Sequence, residues 1–469
     1  MTKRAKVIAK KIMEEHCLGI GIDKQRVKEL FDLATHIDES VAKSGIDATF
    51  KDIIEPLNDS FDAADRDVYY EIFSYVIQLI RDLPEAVHID KTLEAFGLFT
   101  QQDLLDRVRD LILPDKVGPA HRNNVKKVFV LSRVTIGADV AVTSIIIERS
   151  KKLFPNARIC FLANSKNYEL FGGEENIKII PMDYQRRGGL ISRLESWLHA
   201  LESINSETKD MEPGEYAIID SNSRVTQLGL LPLVKKDTGY YLFEPLAHAD
   251  EEMRKLGEDV NEWLNKVFEG TIEDFTYPAL SVPARYNEAA KGFYQKLFNN
   301  KEFTVTVNFG VGGNDDKRVS DEFEFEVVLH LIEQGAKVIL DEGFGEDEIE
   351  RTERLIDRLK ARGKAIMRVN EDLAFIEELK PDLITYKGGI GQFAALISQS
   401  QFYVGYDSMG QHVAAALEIP ELVVFNGYPT EKFSWKWHPY GKGKIKIIHA
   451  EGKAEKGVLE STKKILSVL

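Results

Sequence analysis

Three clusters in this chain gather residue types able to do chemistry, two of them suited to binding an anion. The C-terminal one, VGYDSMGQHVAAALEIPELVVFNG from Val404 to Gly427, packs Asp407, Ser408, Met409, Gly410 and His412 into six residues. Glycine lets a backbone approach a ligand, and the amides that open a helix favour negative charge. The second, VNFGVGGNDDKRVS from Val307 to Ser320, runs Gly310, Gly312 and Gly313 toward Lys317 and Arg318. Free amides in a glycine turn form an anion-binding concavity. Lys317 can reach a phosphate as a point charge and Arg318 can fork onto one. Neither a Walker pattern nor a GxGxxG is present, and a plain surface turn is the alternative. The third, SRVTIGAD from Ser132 to Asp139, holds Arg133 and ends in a carboxylate able to cap the helix that follows.

Each cluster needs a strand before it and a helix after it. KVFVL precedes the third, FTVTVNF the second, and Gln401 to Gly405 the first, while Val413 to Leu417 is alanine-rich and helical in propensity. All three turns are therefore expected at the carboxyl ends of strands, where open α/β sheets bind ligands. From Val125 the chain alternates β-branched strands and helices, the mark of parallel βαβ units. A second series starts near Phe303, with a mixed segment near 270–300 between the two. Before Val125 the texture is helical: SFDAADRDVYYEIFSYVIQLIRDL carries apolar residues at helical spacing, with Asp62 or Asp65 as its cap. The sequence thus predicts an α/β fold of two Rossmann-like domains, 125–295 and 296–469, after an all-helical domain, 1–124.

Composition narrows the class. The 469 residues carry a formal charge of −15, which argues against nucleic acid, whose binding rests on Lys and Arg neutralising phosphates. No apolar run approaches the roughly 20 residues of a membrane span, and the start lacks a secretory apolar segment. A cytoplasmic enzyme is expected. Cys17 and Cys160 fit neither a disulfide framework nor a zinc site and read as core or semi-core thiols.

The clusters, in this order, resemble glycosyltransferase family nine, the lipopolysaccharide heptosyltransferases, over residues 125–450. Asp407, Ser408 and His412 keep the spacing of its (G/N)DSGxxH turn, with Met409 at the family's Gly and Gly410 one position late. Arg133 and Asp139 keep the spacing of RLSSLGD, with Gly137 displaced and Ala138 at the family's glycine. Lys317 matches the lysine that contacts the donor's phosphate. YAIIDSNSRVTQLGLL resembles the strand and turn bordering the acceptor, making Asp220 and Arg224 acceptor-side candidates along with Arg133, although each reads equally as a turn residue or surface ion pair. Arg186 and Arg187 face an acidic acceptor or are solvated. Glu346 or Glu348 holds ribose hydroxyls or serves the helix dipole. Trp435, Trp437 and Tyr440 close the donor pocket or pack between domains.

The resemblance implies the GT-B fold and an inverting, metal-independent transfer from a nucleotide diphosphate-sugar, an ADP-sugar above all, to an acceptor hydroxyl. Asp139 becomes the general base, since a sugar hydroxyl is a poor nucleophile until its proton starts to leave. Asp407, Ser408, Met409, Gly410, His412, Gly312, Gly313 and Lys317 become the donor phosphate site, with no cofactor and no metal. The acceptor is a glycan, lipid-linked glycan or protein, met in the cytoplasm or at the inner membrane face. The helical domain lies outside the resemblance and is expected to bind a partner protein or another copy. A nucleotide-sugar epimerase and a non-catalytic nucleotide-sugar scaffold are the rival readings, the latter because of Met409 and Ala138.

Overall fold

A computed structural model of the chain describes residues 2–112, 122–185, 188–235, 239–245, 253–298, 302–375 and 380–468. Up to residue 112 the described backbone is helical, as the periodicity predicts. Asp62, not Asp65, caps the helix Ala63–Arg81, accepting from the Ala64 amide at 2.8 Å, while Asp65 pairs with His16. That helix buries Tyr69, Tyr70, Phe73, Ile77 and Ile80. Each such side chain contributes about 1.5–3 kcal/mol when fully buried.

Two all-parallel sheets follow. In the first, β1 (Lys127–Leu131), β2 (Arg158–Ala163), β3 (Ile177–Pro181), β4 (Tyr216–Asp220) and β5 (Tyr240–Leu242) lie in the order β3-β2-β1-β4-β5. The second contains β6 (Thr304–Asn308), β7 (Lys337–Asp341), β8 (Ile366–Asn370), β9 (Leu383–Lys387), β10 (Phe402–Tyr406), β11 (Glu421–Phe425) and β12 (Ile445–His449). Its order is β12-β11-β10-β6-β7-β9-β8. The strand order reverses between β1 and β4 in one sheet and between β6 and β10 in the other. Those are the places where a doubly wound sheet opens a crevice at its carboxyl edge.

Alternation along the strands divides the core. Phe129 and Leu131 of β1 join the N-terminal helices and the helix Leu190–Thr208 in one apolar cluster. Val128 and Val130, one residue out of phase, join the opposite cluster. That second cluster is continuous with Ile339, Ile384 and Tyr386 of the other sheet, so the two sheets share a core. The helical region is therefore one of the layers covering the first sheet. Cys160 is buried in that layer's core, whereas Cys17, expected in a core or half-core, is exposed. A buried ion pair, Lys436 Nζ to Asp259 Oδ2 at 2.5 Å, ties the C-terminal segment to the first domain's helix Leu256–Phe268. No helix among the described residues is long and apolar enough to cross a membrane.

Candidate active site

The turns after β1, β4, β6 and β10 meet in one cleft of about 840 Å³ between the sheets. On the second sheet, Lys317 Nζ donates to Asp407 Oδ2 at 2.6 Å, and Gln411 Nε2 donates to Asp407 Oδ1 at 2.8 Å. The pair fixes the lysine where the glycine turn and the Asp407 turn converge. Ser408 precedes the helix Met409–Ala416 and its hydroxyl donates to Asn308 Oδ1 at 3.3 Å. Asn308 Nδ2 in turn donates to Asp341 Oδ2 at 2.6 Å. This relay crosses the ends of β10, β6 and β7. Burial first of all pushes the Asp341 carboxyl up to about 7, despite the hydrogen bond from Asn308. His412 lines the cleft with its ring 6.0 Å from that of Trp437. Burial pushes its pKa down to about 4, so the imidazole is neutral at pH 7.

The glycines separate into two kinds. Gly312 and Gly313 have φ of +63° and +84°, left-handed values that glycine adopts without strain, and Gly312 lines the cleft while Gly313 does not. Gly410, expected at the phosphate, lies off the cleft wall, and a Cβ there would collide with the Tyr403 hydroxyl. Met409 takes the wall position instead. It abuts the first domain's turn: a Cβ on Gly137 would lie 3.3 Å from the Met409 Cα. The two departures from the family pattern thus touch, the Met409 backbone of one turn lying against the glycine displaced in the other. Arg318, expected on a phosphate, is engaged by Glu324 and Asp321 at 2.8 and 2.6 Å. Glu348 folds back onto the amides of Val311, Phe344 and Gly345, and Glu346 is exposed.

On the first sheet the aspartates turn inward. Asp139 has no exposed surface and does not line the cleft, although its neighbour Ala138 does. The cause is its hydrogen bonding: the Arg133 amide (2.8 Å) and Thr143 hydroxyl (2.9 Å) donate to Oδ1, and the Ser132 hydroxyl (2.6 Å) and Asn167 amide (3.3 Å) to Oδ2. It sits at the start of a π turn, Asp139–Thr143, and Thr135 holds the N-cap position that the cap reading gives to Asp139. Burial raises its pKa to about 6 against those four bonds. Asp220 is likewise fully buried, accepting from the Ser223 amide, Thr226 and Tyr240. In this structure both carboxylates brace their turns and neither faces the cleft. Arg133 and Arg224 do line the cleft, and Arg133 donates to the Ser221 carbonyl at 2.9 Å. Burial, then the charge of Arg224, lowers the Arg133 pKa to about 10. Arg186 and Arg187 lie outside the described residues. Trp437 lines the cleft, whereas Tyr440 stacks on Tyr277 at 4.8 Å and packs between domains, and Trp435 is exposed.

Residues 314–466, which contain Lys317 and the Asp407 turn, match the sequence model of glycosyltransferase family 9 (heptosyltransferase). The C-terminal part carries a glycosyltransferase family 9 domain. The chain is similar to a glycosyl transferase family 9 protein from Veillonella parvula, with TM-score 0.53, 16% identity, and 73% of this chain and 93% of that chain covered. It is also similar to the E. coli heptosyltransferase WaaC solved with ADP, with TM-score 0.51, 17% identity, and 73% and 99% covered. At those identities the likeness shows the fold, which is GT-B with added helices before it. No curated protein sequence matches the chain. Among the described residues, no group of three or more His, Cys, Asp or Glu is arranged to hold a metal ion.

Asn308 and Asp341 are the site residues the sequence reading missed. Each is the last residue of its strand, TVTVN and KVILD, following a β-branched or aliphatic residue. A polar residue closing a strand beside the switch point was the available signal.

Proposed function

We propose that the chain transfers a heptose or heptose-like sugar from an ADP-linked donor to an acceptor hydroxyl, with inversion and without a metal. The carrying observation is the convergence of Lys317, Ser408 and the start of the helix Met409–Ala416 at the β6/β10 switch point, opposite the β1/β4 switch point. Helix-start amides and a lysine suit the charge of a diphosphate. In the reaction the acceptor oxygen attacks the anomeric carbon as the bond to the diphosphate breaks, and its electron pair leaves with ADP. The hydroxyl's proton passes to a carboxylate at the cleft wall. Asp139 could take it only if the turn from Ser132 to Ala138 opened.

Purified protein is expected to bind ADP, and Lys317→Ala to weaken that binding by about 1–3 kcal/mol in calorimetry, the loss of a charge-assisted hydrogen bond. Unchanged affinity would remove Lys317 from the phosphate site. With ADP-heptose, release of ADP with a glycosylated product supports transfer. An isomerised donor identifies an epimerase, and binding without turnover a scaffold.

A further inference from the structure

The helical layer, outside the family resemblance, reaches the cleft: Phe50, Glu55, Asn58 and Asp59 line it. A local irregularity brings them there. After the helix Glu39–Thr49 the backbone widens into a π turn, Phe50–Ile54, and resumes as one α turn, Glu55–Asp59. The extra residue shifts the helical face. Ile53, Ile54 and Leu57 are then fully buried, and the polar residues between and after them take the wet side. Phe50 is held beneath Arg193, whose guanidinium lies 3.7 Å from the ring centroid.

Two further observations point to a ligand at this wall. Asn222, at the turn after β4, lines the cleft while only 4% exposed, and its Nδ2 has no hydrogen-bond partner among the described residues. A buried donor left unmade costs about 1–3 kcal/mol, so such a group is kept where something binds it. Asn222 and Val134, also on the wall, hold left-handed φ values of 71° and 77°. For a β-branched residue that is strain, which collects at binding sites. The carboxylates also divide by side. Of those lining the cleft among the described residues, Asp407, Asp341 and Glu348 belong to the second domain and are held by Lys317, Asn308 and backbone amides. Glu55 and Asp59 are the acceptor-side pair, Asp59 accepting from Asn58 Nδ2 at 3.0 Å.

We propose that the helical layer completes the acceptor subsite, with Glu55, Asn58, Asp59 and Asn222 holding the hydroxyls of a glycan. Carboxylates accept from sugar hydroxyls and amides both donate and accept, so this set reads a polyol. The inference rests on the glycosyltransfer reading and adds to it that acceptor choice is made by the segment Phe50–Asp59.

The test uses full-length protein loaded with ADP, applied to a printed array of bacterial oligosaccharides. The parent is expected to retain a subset. Glu55→Gln with Asp59→Asn, which removes two charged acceptors, and separately Asn58→Ala, which removes an amide, each lower that retention about tenfold or more. Their ADP affinity in calorimetry stays within about twofold, which also shows that they fold. An unchanged array profile in these variants, or a parent that retains no glycan, overturns the subsite. A parent that fails to bind ADP overturns the donor reading beneath it.

Discussion

Asp139 shows how burial changes a residue's role. Burial raises its folded pKa to about 6, above the unfolded value of about 3.9, so the folded state holds the extra proton between those pH values. Its contribution to stability is therefore fullest below about pH 4, falls as pH rises to about 6, and is flat beyond. Asp139→Asn should flatten that slope in thermal unfolding followed against pH. A turn-bracing role further predicts that this variant, which keeps the shape, transfers sugar within about tenfold of the parent, whereas losing a general base costs about 100-fold or more. A 100-fold deficit in the folded variant would restore Asp139 as the base. The residue types were legible in sequence for Lys317, Ser408 and His412, because spacing and a preceding strand mark them. The inward turn of Asp139 and Asp220 was not, because it depends on donors such as Asn167 and Tyr240 that come from distant elements.

At the scale of elements, the contact between the two turns is the distinctive feature. Met409 and Gly137 fill one space from opposite domains. Gly137→Ala is expected to push the turns apart and destabilise the protein, and Met409→Gly, which removes the Cβ contact but leaves the nearer Cα and N in place, to relieve only part of that strain. A double-mutant cycle should then show coupling of about 0.5–3 kcal/mol in denaturant unfolding. Additive effects would mean that the turns do not lean on each other. Strand and helix identities near these turns were readable from alternation and alanine content. The π turns at Phe50–Ile54 and Asp139–Thr143 were not, since an extra residue in a helix leaves the apolar periodicity nearly intact.

Across the whole molecule, the helical layer shares its core with the first sheet. Removing residues 2–112 would bare Phe129, Leu131, Leu162 and Ile218, so the shortened chain is expected to aggregate or lose cooperative unfolding. Gel filtration with light scattering checks this. A monomeric, cooperatively folding truncation would instead make the layer a detachable module.

The sequence alone determined the parallel α/β class, the helical start and the location of the glycine-bearing turns at strand ends. These follow from short-range patterns: period two or 3.6 in apolar residues, and glycine where a turn needs it. Tertiary structure decided which charged groups face the cleft. Asp139 and Asp220 lie one layer behind it, Asn308 and Asp341 lie within it, and Glu55 and Asp59 arrive from more than seventy residues before β1's turn. The reason is physical: a side chain's exposure is set by the elements packed over it, and those come from parts of the chain that no local pattern connects.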